Sequence, residues 1–165
     1  MARAISHLPT FKELMLPDLR ELISENRRDP LPEIQAANSV EGAVALLEFH
    51  MGFVDPSMQV VSKSTPIGSM NIARSNLRHI VEKRLDARER SVLLALDTLE
   101  HPFDIWKTFY DDEMARYMFI GTYRQKQQML AVVASWEGKV LWNFLHTSAK
   151  SLNKHRQGQL LYKRH

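Results

Sequence analysis

The period of the apolar residues changes at the dipeptide HP, residues 101–102, and that change limits the fold more than any other feature. Upstream, apolar side chains recur at helical spacing; downstream they alternate or run in short blocks. "FDIWKTFY", "RYMFIGTY", "QMLAVVASW" and "KVLWNFLHT" each read as a strand, separated only by "DDE", "RQKQ" and "EG". Strands this close in sequence pair as an antiparallel meander, because parallel pairs need long crossovers. "SAKSLNKHRQG" then reads as a short helix or long loop, and "QLLY" as a last strand. Helices followed by strands is the α+β order.

Residues 10–28 are expected to be helical, with Leu14, Leu19, Leu22 and Ile23 apolar and Pro17 dividing the segment. After the breaker "RRDPLPE", "SVEGAVALLEFHMGF" predicts a second helix, capped by Ser39, with Val44, Leu47 and Phe49 on its apolar side. "VDPS" ends it, which divides the chain into a helical N-terminal unit, 1–57, and a second domain, 58–165. Val60 and Val61 suggest a short strand and "TPIG" a turn. Residues 70–84 are expected to form a helix whose stripe is Ala73, Leu77, Ile80 and Val81. His79 falls off that stripe, beside Ile72, Asn76 and Lys83, so it belongs to the surface rather than the core. A further helix is expected over 86–100, capped by Asp86 and turning Val92, Leu93, Leu96 and Leu99 inward. The expected architecture is therefore N-terminal helices followed by two helices packed on a small antiparallel β-meander.

The chain has no cysteine, which excludes disulfides and thiolate zinc sites. No GxGxxG, GxxxxGK[ST] or nucleophile-elbow pattern is present, and no histidines stand at metal-binding helical spacing. No metal and no cofactor is expected. The N-terminal residues carry charges and prolines where a signal peptide needs an apolar run, and no stretch approaches the ~20 apolar residues of a membrane span. A cytoplasmic protein, or one delivered into a target cell, is expected.

Charge is unevenly distributed. Residues 1–66 hold 6 Lys/Arg against 9 Asp/Glu, whereas residues 114–165 hold 9 Lys/Arg against Glu137 alone. So basic a last third suits a phosphate-bearing partner such as RNA. Metal-free RNA cleavage needs a base for the 2′-OH, an acid for the departing 5′ oxygen, and cations around the phosphate. His79, His146 and His155 offer proton transfer; Arg116, Arg124, Lys126, Lys154 and Arg156 offer cations; Thr147, Ser148 and Tyr162 offer hydroxyls. A non-catalytic RNA- or protein-binding module, such as a phage structural appendage, would draw on the same residues.

The order of the motifs "TPIGSMNIARSNLRHIVEKRLDARE", "TLEHPFDIWKTF", "VVASWEGKVLWN" and "RQGQLLY" resembles phage-associated nuclease domains of the barnase–EndoU–colicin–RelE-like superfamily, over roughly residues 60–163. The resemblance implies a barnase/RelE-like fold and metal-independent endoribonuclease activity of toxin or effector type. It also implies a cognate immunity or antitoxin protein as a possible partner. It maps the helix histidine onto His79, the strand arginine onto Arg116, the terminal arginine and tyrosine onto Arg156 and Tyr162, and the polar pair onto Thr147 and Ser148. On this mapping His79, Arg116, Thr147, Ser148 and Tyr162 form the catalytic set, while Arg124, Lys126, Lys154 and Arg156 bind RNA phosphates. Gly158 is expected in a turn, and Trp106 and Trp142 in the core.

Overall fold

The computed structural model describes residues 8–110, 114–135 and 138–164. The expected turn at 111–113 lies outside them, as does Glu137 of the "EG" turn. The order of elements is α1 (Val40–Met51), β1 (Val60–Thr65), β2 (Gly68–Ala73), α2 (Leu77–Val81), α3 (Val92–Glu100), β3 (Asp104–Phe109), β4 (Ala115–Gly121), β5 (Gln128–Ser135), β6 (Lys139–Thr147), α4 (Ala149–Asn153) and β7 (Gln159–Lys163). The α+β class is as expected. The sheet is larger than a four-stranded meander: seven strands in the order β1-β2-β6-β5-β4-β3-β7. β3 to β6 form the antiparallel meander, β7 adds to β3, and the β1–β2 hairpin joins β6 through a parallel contact, Asn71 opposite Val140.

Alternation along the strands builds two cores. Tyr117, Phe119, Ala131 and Val133 face α1, α2 and α3, where Leu47, Leu77, Ile80 and Leu99 meet them. Trp106, Met118, Ile120 and Leu130 face the other way, where Phe11 and Leu19 of the N-terminal segment and Leu152 of α4 cover them. The result is helices, sheet, and an outer strap.

Three helical expectations are corrected. Residues 10–28 are not a helix but the strap, with single 3-10 turns at Leu19–Glu21 and Ser24–Asn26. Pro17 cannot propagate a helix, and the strap's peptide groups bond to the sheet instead: Phe11 N–H to Arg156 O at 3.0 Å and Arg28 N–H to Thr122 O at 2.9 Å. Residues 70–73, expected as helix, complete β2. Met70 and Ile72 are buried two residues apart, and Gly68, at φ 105°, closes the hairpin. The expected helix 86–100 is helical only from Val92. Asp86 is not its cap, because Ala87 takes φ 45°, and a 3-10 turn over Arg88–Ser91 precedes it. α1 starts as expected, with Ser39 Oγ accepting from Gly42 N–H at 3.0 Å, but its buried side is Ala43, Leu47 and Met51 while Phe49 is 78% exposed.

Two buried ion pairs fasten these layers. Arg156 Nε donates to Asp104 Oδ2 at 2.9 Å beneath the strap, and its NH1 donates to Pro17 O at 2.7 Å. Gly158 follows at φ 106°, where a Cβ would lie 2.3 Å from Lys107 O, so only glycine lets β7 approach β3 there. Arg84 donates twice to Glu89, at 2.8 and 2.6 Å, and Ala37 N–H adds a third bond to that carboxylate. Burial pushes the Glu89 carboxyl up, but the Arg84 bonds and the Ala37 amide pull it further down, to below the ordinary range.

A depressed carboxyl contributes stability that is complete above its unfolded value, about 4.3, and is lost as pH falls through the folded value. Thermal denaturation between about pH 2 and 6 should show Glu89→Gln losing part of the wild-type acid dependence. It should also be less stable at neutral pH, since removing one partner of a buried pair costs about 3–5 kcal/mol.

Candidate active site

The helix α2 starts beside the edge of β6, and one side chain joins them. Asn76 Nδ2 donates to the carbonyls of Leu141 at 2.9 Å and Trp142 at 3.0 Å. At this point the β5–β6 register slips: Val132 faces Asn143 and Val133 faces Leu141, which leaves Trp142 as the extra residue of a bulge. A bulge frees carbonyls from the ladder, and Asn76 satisfies them. The Trp142 ring then lies 4.8 Å from the His79 ring at 46°. His79 Nδ1 stands 3.7 Å from Glu82 Oε1, too far for a hydrogen bond but near enough for attraction once the imidazole is protonated. With its side chain 43% exposed, His79 is both supported and open to water.

Trp142 also lines a groove of about 440 Å³ with Val60, Asn71, Ala73, Ser75, Asn76 and Val140, a size suited to a small-molecule or nucleotide ligand. Met70 and Ile72 point into the helix-side core, so Asn71 and Ala73 point to the opposite face of the sheet. The pairings Asn71–Val140, Val140–Ala134, Ala134–Arg116 and Arg116–Thr108 carry that face across five strands. At about 4.8 Å per strand, Arg116 stands roughly 10 Å from Val140 along this row. Its guanidinium lies 3.9 Å over the Tyr110 ring. Strap and α4 cover the other end of this face.

The remaining candidates lie elsewhere. Thr147 and Ser148 are farther along β6, in a second cavity of about 490 Å³ that His146, Gln127, Leu85, Asp86, Arg88 and Arg90 also line. The Ser148 hydroxyl accepts from Ser151 N–H at 3.2 Å and so caps α4. Tyr162 packs into the helix-side core from β7, at the opposite edge of the sheet from β1.

Arg156, expected at a phosphate, has a fully buried side chain paired with Asp104. Arg124 donates to Ser24 O and, at 2.7 Å, to Asp29 Oδ1. Lys154 lies in a depression beside Lys12, Asp18, Arg20 and Lys150 under the strap. Lys126 is exposed in the β4–β5 turn next to Gln127. Burial pushes the His155 imidazole below its usual value, which favours its neutral form.

Residues not anticipated are Asn76, Trp142, Glu82, Arg88 and Arg90. Asn76 and Glu82 stand within three residues of His79 in "SNLRHIVEKR", a spacing that marks them as its neighbours on a helix. Trp106 is in the core as expected, but Trp142 is not.

The fold is an α+β arrangement, a seven-stranded mixed sheet covered by helices on one face, with His79 of α2 against Trp142, which lines the groove. The family described as phage-Barnase-EndoU-ColicinE5/D-RelE like nuclease2 matches residues 53–163, two-thirds of the chain, and the protein belongs to that family. No curated protein and no solved structure matches the chain.

Replacing Asn76 by alanine leaves two bulge carbonyls without their donor, at a cost of about 1–3 kcal/mol. Urea denaturation should show that loss, and the NMR signals of the His79 ring should move as Trp142 shifts away.

Proposed function

We propose that this domain is a metal-independent endoribonuclease of toxin or effector type that cleaves RNA by transphosphorylation. One observation carries the proposal: a water-accessible imidazole, His79, braced on Trp142 at the edge of a groove whose face continues to Arg116. In this reaction the 2′-oxygen loses its proton and attacks phosphorus. The bond to the 5′ oxygen breaks, and that oxygen takes up a proton, giving a 2′,3′-cyclic phosphate and a 5′-hydroxyl. His79 is positioned to move one of these protons, with Glu82 attracting the imidazolium form. Arg116 adds positive charge on the face where the phosphorane's charge would develop. Among the described residues no group of three or more His, Cys, Asp or Glu could hold a metal ion.

RNA is the proposed partner, with a cognate immunity or antitoxin protein as a second; the proposed setting is the cytoplasm or a target cell reached by delivery. Among the described residues no helix is long and apolar enough to cross a membrane. The positions of Tyr162 and Arg156, away from the groove, favour the rival reading of a non-catalytic RNA- or protein-binding module with this fold, such as a phage structural appendage.

Incubation with RNA in EDTA separates the two. The nuclease reading expects cleavage in chelator, a loss of about 10²–10⁴-fold in rate for His79→Ala, and a smaller loss for Arg116→Ala. RNA that stays intact, or is cut equally well by His79→Ala, would overturn it.

A further inference from the structure

The second cavity, beyond Trp142 along β6, has a composition that the catalytic proposal does not use. Arg88 and Arg90 project from the 3-10 turn before α3, and both line it. Arg88 NH1 donates to Asn143 Oδ1 at 2.7 Å, and its NH2 reaches Asp86 only at 3.4 Å. Arg90 NH2 reaches the Asp86 carbonyl, also at 3.4 Å. The Nε atoms of both arginines are buried and have no hydrogen-bond partner among the described residues. The terminal N–H groups of these two guanidiniums are only partly used by the bonds to Asn143 and Asp86, two of them long, and an anion in the cavity is the partner such donors bind most strongly. Thr147, His146 and Gln127 add polar groups to the lining, and Asp86 adds a carboxylate.

The wall of the cavity is held rather than loose. Arg84 and Glu89 clamp the two ends of the intervening loop through their paired bonds. Within it Ala87 is fixed at φ 45°, a conformation a non-glycine residue adopts at a cost. The loop presents Leu85 at 96% exposure on the cavity rim. An apolar side chain beside two guanidiniums matches the two halves of a nucleotide, base or sugar against Leu85 and phosphate against Arg88 and Arg90.

Other arginines are arranged differently. Arg27, Arg28, Arg124 and Arg164 also converge, but they donate to the carbonyls of Leu19, Ser24, His101 and Asn26 and to Asp29 and Asp97. Those bonds hold the strap.

Placement connects the cavity to the His79 groove. Asn143, which holds Arg88, is the residue after Trp142, and Leu145 lies three residues along the strand, roughly 10 Å. We propose that this cavity is a phosphate-binding subsite for a nucleotide flanking the scissile bond, so that single-stranded RNA runs along the β6 edge from Trp142 to Thr147. The inference rests on the nuclease reading for the identity of the strand, but not for the binding itself.

The test uses the full chain carrying His79→Ala, in EDTA, with single-stranded oligouridylate of twelve nucleotides and with the dinucleotide UpU as probes. Arg88→Gln and Arg90→Gln should each weaken binding of the longer RNA by about tenfold to a hundredfold. Each should also reduce the slope of log affinity against log salt by about 1, while UpU binding is unchanged. Leu85→Ser should weaken binding without changing the slope. If Arg88→Gln lowers the melting temperature, Arg90→Gln decides alone, since Arg90 has no bond to Asn143. Unchanged affinity and slope, or no binding of the twelve-nucleotide RNA at all, overturns the subsite. If the unmutated protein cleaves RNA yet both glutamine variants bind normally, only the subsite fails. Arginine-dependent binding by a protein that never cleaves removes the nuclease reading and leaves the subsite.

Discussion

The pair of hydrogen bonds from Asn76 to the β6 bulge is the junction on which the candidate site depends. A bulge leaves its extra residue out of the ladder pairing, and here a side chain from the turn before α2 donates to the carbonyls of Leu141 and Trp142. The same contact fixes the start of α2 against β6, so that two residues with no sequence proximity, His79 and Trp142, meet ring against ring. Without it His79 would be one more polar-face histidine. Helix position, strand irregularity and imidazole environment are thus a single structural fact.

Arginines of the basic last third of the chain hold the N-terminal strap in place. Arg124, Arg156 and Arg164 donate to strap and sheet carbonyls or to buried and surface carboxylates, which fastens the N-terminal segment over one end of the sheet. The strap and α4 cover the end of that face where Trp106, Met118, Ile120 and Leu130 meet Phe11, Leu19 and Leu152. Among the described residues, Arg88 and Arg90, from the middle of the chain, retain buried Nε donors without partners. Net charge along a sequence does not reveal which guanidiniums are committed to internal carbonyls and carboxylates, and one already bonded to carbonyls has little left for a phosphate.

Strand periodicity was legible because β3 to β6 alternate between two buried faces over six or more residues. Short apolar runs were not. Met70 and Ile72 satisfy a strand, whereas Ala73, Leu77 and Ile80 satisfy a helix, and only the Gly68 turn and pairing with β1 decide where one ends. The segment 10–28 carries helical spacing, but its apolar side chains serve a strap, since Pro17 and the bonds to Arg156 and Thr122 define its path. His79 was legible as a surface residue from its place off the stripe. The Trp142 bulge was not, for a one-residue slip leaves no mark in composition. Nor was the burial of Arg156, which depends on Asp104, 52 residues away.

Replacing one 2′-hydroxyl by hydrogen in an otherwise ribose oligonucleotide tests the central claim most directly, because transphosphorylation draws its nucleophile from the substrate itself. With chelator present, cutting at the linkage after the modified sugar should vanish while its neighbours are still cut and end in 2′,3′-cyclic phosphate. Continued cutting at the modified linkage would mean that water attacks phosphorus, and proton transfer by His79 to and from the sugar oxygens could not be the mechanism.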